Sequence, residues 1–164
     1  MYRIGQSTDI HQLVKGRDLI LGGVKIDYPL GLNGHSDADV LLHAISEAIL
    51  GALALNDLGC LFPDNDNKYL NISSLVILEK VYEIMDQKGY QINNIDSLII
   101  IEEPKLRSYI DKMKQNIATT LHTSINNVNV KATCSEKLGF IGKKEGALAQ
   151  AIVLLKKKDQ LWIT

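Results

Sequence analysis

The sequence lacks the features that mark several large classes of protein. Its 18 Lys and Arg residues and 19 Asp and Glu residues leave a formal charge of −1, so the excess positive charge that drives nucleic-acid binding is absent. The two cysteines, Cys60 and Cys134, stand far apart and match neither a disulfide framework nor a thiolate zinc motif. No apolar run approaches the roughly 18 residues that cross a bilayer, and the N-terminus does not resemble a signal peptide. These absences predict a cytoplasmic protein with reduced thiols and no membrane or nucleic-acid partner.

What the sequence does contain is the material of one globular domain. At 164 residues, with 46% hydrophobic and 23% charged residues, the chain is long enough to bury a core. It is too short for two full-sized domains, and it contains no internal repeat and no linker. We therefore expect a single folded unit.

Hydrophobic periodicity predicts several strands and helices. The apolar residues of 40–55 recur at three- and four-residue steps, which predicts the strongest helix of the chain. Further helices are predicted over 73–88 and from Pro104 to about residue 121. Strands are predicted over 2–13, 19–21, 24–26, 91–102, 127–133 and 147–155.

The order of these segments predicts an α+β fold. Because strands and helices do not alternate strictly, we expect a β-sheet with helices packed on one face. The other face also needs a cover. Another copy of the chain would provide that cover, so the pattern favours a homo-oligomer.

Two predicted elements bring together residues of the kind that bind zinc. Asp9 and His11 stand two apart on a predicted strand, so both side chains face the same side and can reach one ion. His43 lies in the first turns of the strong helix. Three such ligands with one open position are typical of catalytic zinc. The alternative is that Asp9 and His11 are ordinary polar residues at a sheet edge and His43 is a packed helix residue, and the spacing leaves this open.

The residues before the helix allow two interpretations. Asp39 precedes His43 by four positions, which would place both on one helical face and let Asp39 orient the histidine. Alternatively, Ser36 and Asp37 are helix N-caps with no part in the chemistry.

A second group of polar residues follows the predicted strand 127–133. Thr133, Cys134 and Ser135 offer hydroxyl or thiol donors, and Glu136 offers a hard carboxylate ligand. Such a set would hold a phosphate and its Mg²⁺. The alternative is a capped turn with Glu136 exposed.

Five ordered blocks of this sequence together resemble the 2-C-methyl-D-erythritol 2,4-cyclodiphosphate synthases of the non-mevalonate isoprenoid pathway. The blocks lie at 9–11, 36–44, 57–59, 61–66 and 129–140. Ordered blocks with compatible spacing are far more specific than any one motif. The resemblance covers nearly the whole chain and implies one synthase-like domain over residues 1–158, followed by a tail at 159–164.

The resemblance implies an activity. Members of this family are phosphorus–oxygen lyases that convert 4-diphosphocytidyl-2-C-methyl-D-erythritol 2-phosphate into 2-C-methyl-D-erythritol 2,4-cyclodiphosphate and CMP. It implies Zn²⁺ on Asp9, His11 and His43, and Mg²⁺ or Mn²⁺ as a second ion on Glu136. It also implies a homotrimer of α+β subunits around a sheet-lined threefold axis, with active sites between neighbouring chains. A zinc-dependent phosphodiesterase or nucleotide hydrolase and a non-catalytic trimeric binding module are the competing functions.

The resemblance also implies roles for the remaining residues. It makes His35 and Cys134 part of the catalytic machinery, with Ser36 near the reacting phosphate. The residues implied to contact the methylerythritol and its 2-phosphate are Asp57, Leu58, Gly59, Phe62, Pro63, Asp64, Asn65 and Asp66. Those implied to form the cytidine pocket are Ile101, Glu102, Glu103, Pro104, Lys105, Leu106 and Arg107. Those implied to bind or flank the phosphates are Thr133, Ser135, Phe140 and Lys143.

Two of these positions depart from the family pattern. Cys134 stands where relatives carry a hydroxyl residue, and a thiol is the poorer hydrogen-bond donor. Lys143 stands where relatives carry arginine, and lysine cannot form a bidentate fork to phosphate. We expect activity to survive because adjacent donors are present.

Overall fold

The structure is a computed structural model that describes residues 1–62 and 72–159. The strands within these residues are β1 (Tyr2–Lys15), β2 (Leu19–Leu21), β3 (Val24–Ile26), β4 (Leu30–Leu32), β5 (Tyr90–Ile100), β6 (Val128–Thr133) and β7 (Gly146–Lys157). The helices are α1 (Val40–Ala52), α2 (Leu58–Leu61), α3 (Ser74–Gln87), α4 (Ile110–Thr120) and α5 (Gly139–Gly142). A 3₁₀ turn at Ile125–Asn127 precedes β6. No helix among the described residues is both long and apolar enough to cross a membrane.

The main sheet has five strands in the order β4-β1-β7-β5-β6. Strands β5 and β6 run parallel, and the other neighbouring strands run antiparallel. Over residues 2–13 of β1, even-numbered residues are exposed while odd-numbered ones are buried or half-buried, because successive side chains point to opposite faces of a sheet. Helix α1 contacts β1 and β7, and α4 contacts β6. The predicted α+β class, with helices against the sheet, is confirmed.

Helix α1 is the centre of the core. The prediction treated 40–55 as an amphipathic helix, but ten of its residues are buried, so apolar neighbours surround it on most sides. The helix begins after Asp39, whose carboxylate accepts a hydrogen bond from the Leu42 N–H at 3.1 Å. It ends at Ala52, three residues earlier than predicted.

Strand β1 and helix α1 approach each other backbone to backbone at Gly5. A Cβ atom at this position would lie 1.9 Å from the Ala48 carbonyl oxygen and 2.6 Å from the Ala52 nitrogen. Only glycine allows this approach. It brings the strand that carries Asp9 and His11 directly against the helix that carries His43.

A separate hairpin, β2–β3, supports the start of α1. Its two turn residues, Gly22 and Gly23, have φ values of 59° and 69°, which fits a type I′ turn. The Gly23 N–H donates to the second carboxylate oxygen of Asp39 at 2.7 Å. The hairpin and the N-terminus of α1 are thus held by one buried carboxylate.

The prediction that a helix begins at Pro104 is wrong. Residues 101–109 form a loop, and α4 begins at Ile110. Proline suits a turn as well as a first helical position, and the burial of Leu106 anchors this loop to the core. The short elements β4, α2 and α5 were not predicted, because segments of three or four residues carry no periodic signal. The equally short β2 and β3 were predicted because turn residues and the Gly22–Gly23 pair interrupt the chain around them.

Candidate metal centre and neighbouring cavities

The structure brings Asp9, His11 and His43 together as the sequence predicts. His11 Nε2 lies 3.1 Å from Asp9 Oδ2, and His43 Nδ1 lies 3.2 Å from the same oxygen. The two ring nitrogens lie 3.3 Å apart. Strand β1 supplies the first two side chains and the first turn of α1 supplies the third.

These three atoms form a nearly equilateral triangle whose size fits a zinc ion. Zn–N and Zn–O bonds of about 2.0–2.1 Å at tetrahedral angles separate neighbouring ligand atoms by roughly 3.3 Å. One carboxylate and two imidazoles leave a fourth position for water or substrate. The donor set and its geometry therefore fit a divalent transition metal of the zinc type.

Hydrogen bonds orient both imidazoles towards the centre of the triangle. The other ring nitrogen of His11, Nδ1, lies 2.7 Å from the Asn33 carbonyl oxygen, an acceptor that requires an N–H on Nδ1. The other ring nitrogen of His43, Nε2, lies 2.9 Å from Ser74 Oγ. With these partners, each ring is oriented so that its remaining nitrogen would be available to a metal ion at the centre of the triangle.

The electrostatics of the triangle favour positive charge at its centre. Burial opposes ionisation of Asp9, yet hydrogen bonds and charge from the two histidines hold the pKa of its carboxyl well below the usual range. Burial likewise opposes protonation of His11, but hydrogen bonding and charge from Asp9 raise the pKa of its imidazole. A carboxylate that remains ionised at low pH is a suitable ligand for a cation.

The prediction that Asp39 orients His43 is wrong. Both carboxylate oxygens of Asp39 are taken by backbone N–H groups of Leu42 and Gly23, and the side chain is fully buried. Asp39 is the N-cap of α1. The alternative interpretation of the sequence had placed the cap at Ser36 and Asp37. Burial, outweighing these hydrogen bonds, raises the pKa of the Asp39 carboxyl to about 6.

Replacing Asp39 with asparagine is expected to remove a pH-dependent loss of stability. The pKa of folded Asp39 is about 6 against a reference value of 3.8, so folding favours its protonated form. That stabilisation is fully present below about pH 4 and is lost as the pH rises to about 6. Asparagine keeps an oxygen for the helix cap but does not ionise. In urea unfolding from pH 4 to 7, the free energy of unfolding of D39N minus that of wild type should rise with pH. A difference that stays constant would contradict the raised pKa of Asp39.

A cavity of about 240 Å³ opens beside the metal centre. The predicted site residues that line it are Asp9, His11, His35, Ser36, His43, Leu58, Gly59 and Phe62. Asp57 is not among its lining residues; it caps α2 through the Cys60 N–H at 3.0 Å and is exposed. The predicted residues Pro63, Asp64, Asn65 and Asp66 lie outside the described residues.

A second cavity, of about 420 Å³, lies at the ends of β5 and β6. Its lining contains most of the residues predicted for the cytidine pocket, namely Ile101, Glu102, Pro104, Lys105, Leu106 and Arg107. Thr133 and Cys134 line the same cavity. Glu103 does not line it; its carboxylate forms an ion pair with Lys144 at 2.8 Å. Six of the seven residues predicted for the cytidine pocket therefore lie at one cavity, and their role in binding cytidine stays a prediction.

The loop after β6 carries the predicted phosphate and second-ion residues. Glu136 is exposed, and one of its carboxylate oxygens accepts from the Cys134 thiol at 3.2 Å. Ser135 instead turns to Glu102, whose Oε2 accepts from the Ser135 N–H and hydroxyl, each at 3.2 Å, and from the Lys137 N–H at 3.4 Å. Glu102 therefore holds the loop in addition to lining the cavity.

The remaining predicted residues lie on the next short helix. Phe140 is in α5 and is 40% exposed, and Lys143 caps the C-terminus of that helix. Neither is among the residues that line the two cavities described above. Their predicted contacts with phosphate remain predictions.

Sequence reasoning missed Ser74 and the side-chain role of Asp37. Ser74 is buried at the start of α3, where it meets both His43 and Asp37. A serine at the start of a predicted helix is typical of a cap, and the sequence offers no signal that one such serine faces a histidine 31 positions earlier. Asp37 lay in a recognised block but was weighed only as a cap.

Comparison with known proteins identifies the relatives of this α+β protein with its candidate metal centre. The model of the YgbB family matches residues 2–156. A 2-C-methyl-D-erythritol 2,4-cyclodiphosphate synthase of Finegoldia magna is 59% identical over 157 residues, which cover 96% of this chain and 99% of that protein. The same enzyme of Geobacillus sp. (strain WCH70) is 54% identical, over 96% of this chain and 100% of the relative.

Solved structures agree with this assignment. An IspF from Plasmodium falciparum, solved as a CDP complex, is 36% identical with a TM-score of 0.85, over 96% of this chain and 97% of that one. The bifunctional IspDF of Campylobacter jejuni is 42% identical with a TM-score of 0.93; 97% of this chain matches 43% of that longer one. This chain belongs to the YgbB family.

Proposed function

We propose that this chain is a cytoplasmic enzyme that converts 4-diphosphocytidyl-2-C-methyl-D-erythritol 2-phosphate into 2-C-methyl-D-erythritol 2,4-cyclodiphosphate and CMP. The observation that carries the proposal is the triangle of Asp9, His11 and His43 ligand atoms, which opens onto a cavity. The relatives named for this reaction match over 96% of the chain, so the whole described domain takes part in the comparison.

The reaction needs no protein nucleophile. An oxygen of the substrate's 2-phosphate attacks the β-phosphorus of the same molecule, and the bond from that phosphorus to the bridging oxygen of CMP breaks. CMP leaves with the bridging oxygen and its electron pair, and the ring closes as a cyclic diphosphate. The protein's task is therefore to bring two anionic groups together and to stabilise the charge on the transferring phosphoryl group.

Residues around the triangle supply the positioning. Asp9, His11 and His43 would hold Zn²⁺, which when bound polarises a phosphate oxygen and neutralises its charge. Ser36 is buried beside the centre, and its carbonyl accepts a hydrogen bond from the Arg17 guanidinium. We assign Ser36 and the neighbouring His35 to the reacting phosphate, because both line the cavity at the metal centre.

The larger cavity suits the cytidine and the phosphates attached to it. Residues 101, 102 and 104–107 line it, together with Thr133 and Cys134. Lys105 and Arg107 are exposed at this cavity and bring positive charge to an anionic ligand. Lys105 is the side chain that we expect to contact the nucleotide.

Sheet register argues that one active site is shared between two copies of the chain. Asp9 pairs with Ala149, Ala149 with Ile99, and Ile99 with Ala132, so three strand spacings separate the metal strand from the cytidine cavity. At about 4.8 Å each, these spacings sum to roughly 14 Å. The two reacting phosphates of the substrate must touch. We therefore propose that the metal centre of one copy faces the cytidine cavity of the next, so that one substrate can reach both.

The uncovered face of the sheet supports the same proposal. Tyr2, Ile4 and Ile10 on β1 and Ile152 on β7 are between 51% and 70% exposed. Large apolar side chains grouped on one sheet face favour burial against another protein surface. We propose a homotrimer in which three such faces meet around the symmetry axis.

Replacing Glu136 with glutamine is expected to weaken the binding of Mg²⁺ or Mn²⁺ on which turnover depends, and to leave zinc content unchanged. Glu136 carries the exposed carboxylate of the loop beside the cytidine cavity, and hard divalent ions prefer oxygen ligands of this kind. Turnover measured against Mg²⁺ concentration should require roughly tenfold or more metal for half-maximal rate, given the 10–100-fold losses typical of metal sites. An unchanged Mg²⁺ curve would remove Glu136 from this role.

Mixed oligomers of two impaired variants, H43A and E136Q, test whether one active site is shared between two copies of the chain. If His43 of one copy and Glu136 of its neighbour serve the same site, mixed trimers of H43A and E136Q subunits contain some sites with both residues intact. Co-expressed H43A and E136Q chains, with different purification tags, should be more active than either variant alone when assayed at a Mg²⁺ concentration that is limiting for E136Q. If purified mixed oligomers are no more active than E136Q alone, the two residues serve a site within one chain.

Phosphorus NMR tests the reaction itself. The wild-type protein should turn the cytidine-linked substrate into a cyclic diphosphate and CMP in the presence of Mg²⁺, and a zinc chelator should stop the reaction. Linear products that have taken up water would identify a hydrolase instead. Tight, stoichiometric CMP binding without turnover by the metal-loaded protein would identify a binding module.

A further inference from the structure

We propose that Asp37 and Ser74 form a positioning relay that fixes the tautomer and orientation of His43, and that the relay sets the zinc affinity of the centre. The proposal rests on the metal centre of the proposed function and adds two residues to it. Neither residue is a metal ligand, and neither lines the cavity beside the triangle. Their role is exerted through His43 alone.

The first step of the argument is that Asp37 and Ser74 are held as a pair. The Ser74 hydroxyl donates to Asp37 Oδ1, and the Ser74 N–H donates to Asp37 Oδ2 at 3.0 Å. The Asp37 N–H in turn donates to the Ile72 carbonyl at 3.1 Å. Two hydrogen bonds therefore connect Asp37, in the loop before α1, to the first residue of α3, and a third connects it to Ile72 just before that helix.

The second step concerns the single proton of the Ser74 hydroxyl. That proton is given to a carboxylate, which is the stronger acceptor. Ser74 Oγ also lies 2.9 Å from His43 Nε2, and with its proton committed it can only accept from that nitrogen. His43 must then carry a proton on Nε2, so Nδ1, which lies 3.2 Å from Asp9 Oδ2, is the nitrogen that a metal ion at the centre would bind.

The third step is that Ser36 alone does not fix the tautomer. Ser36 Oγ lies 3.2 Å from the same Nε2 and accepts from the Ala38 N–H at 3.0 Å. Its own proton is free to point at Nε2, so it serves either tautomer of His43. The carboxylate behind Ser74 is what distinguishes the two tautomers.

Burial makes this relay effective. Ser74 is fully buried, and the His43 side chain is 16% exposed. Water therefore competes poorly for these hydrogen bonds, and their effect on His43 is not averaged away. Losing a hydrogen-bond partner behind a metal ligand costs 10–100-fold in metal affinity in proteins.

The test compares two adjacent serines. S74A removes the relay, whereas S73A removes a neighbouring hydroxyl that is exposed and only caps α3 through the Leu75 N–H at 3.3 Å. Zinc dissociation constants are measured by competition with a chromophoric chelator on the full chain. We expect S74A to weaken zinc binding roughly 10–100-fold, and S73A to leave it within about twofold of wild type, since a lost cap acts on helix stability.

Nitrogen NMR of the metal-free protein supplies a readout that a merely structural role would not change. Nε2 of His43 should be protonated in wild type and S73A, because Ser74 accepts from it, and the form with Nε2 protonated should lose population in S74A. D37N keeps the shape of Asp37 but removes its charge, so it should shift the tautomer and the zinc affinity in the same direction. If S74A does not fold, D37N carries the same test.

The outcomes separate this proposal from the proposed function. Wild-type zinc affinity and an unchanged His43 tautomer in S74A, or in D37N where S74A does not fold, would overturn the relay while the synthase activity stands. Conversely, a wild-type protein that binds zinc and loses affinity in S74A, but forms no cyclic diphosphate, keeps the relay and refutes the reaction.

Discussion

Replacing His43 with alanine is expected to abolish stoichiometric zinc binding and to lower turnover at least about 10³-fold. His43 supplies one corner of a triangle whose edges measure 3.1–3.3 Å, and the two remaining protein ligands would hold a catalytic zinc poorly. The metal contributes several kcal/mol of charge stabilisation, and each 1.36 kcal/mol is tenfold in rate. Metal analysis and steady-state kinetics of the purified variant measure both effects.

His122 offers a matched control for this experiment. Its side chain is 57% exposed, lies close to the Tyr82 ring and has Nε2 3.5 Å from a Glu79 carboxylate oxygen, and it does not line the cavity at the metal centre. H122A should keep wild-type zinc content and turnover. An H43A protein that is free of zinc yet fully active would refute the metal-dependent mechanism. Circular dichroism that matches wild type would show that the loss in H43A is local.

Replacing Gly5 with alanine is expected to destabilise the protein by about 3 kcal/mol or more, the upper part of the range for overpacked cores. The added Cβ would lie 1.9 Å from the Ala48 carbonyl oxygen, so β1 and α1 must move apart. At 2–4 °C per kcal/mol, the melting temperature should fall by about 10 °C. Zinc affinity should fall as well, since β1 carries Asp9 and His11 while α1 carries His43.

Gly51 provides the control for the Gly5 experiment. It lies in α1, is exposed, and has nothing within 4 Å of the position where a Cβ would stand. G51A should stabilise the protein by roughly 0.5–1 kcal/mol, because alanine is the better helix former, with zinc affinity unchanged. If G5A melts at the wild-type temperature, the backbone-to-backbone contact is not what fixes the distance between β1 and α1.

The metal centre could be predicted because its signals are local. Asp9 and His11 share a face of one strand through the two-residue period, and His43 sits in a strongly periodic helix. That the strand lies against the helix is not local information. The contact between strand and helix was implied by the family resemblance of the five sequence blocks. In the structure, the close approach at Gly5 accounts for that contact.

The remainder of the site depends on contacts that spacing does not encode. Asp39 stands four residues before His43, a spacing typical of facing side chains, yet its carboxylate turns back to cap the helix and to meet Gly23 of a distant hairpin. Ser74 reaches His43 across 31 positions. Pro104 is compatible with a helix start and with a turn. The structure has the turn, in which Leu106 is buried, and that burial is a tertiary contact that the local sequence does not encode.

The strand order has a consequence for how the chain folds as it is synthesised. Strand β7 is the last element within the described residues, yet it lies between β1 and β5 and pairs with both along most of its length. Until residue 157 has left the ribosome, β1 and β5 therefore present open edges with no partner between them. Pairing the first strand with the last also requires closing a loop of more than a hundred residues, which slows folding. Strand β1, which carries Asp9 and His11, therefore gains its neighbour β7 only at the end of synthesis. The candidate metal centre is then assembled late and depends on an intact β7.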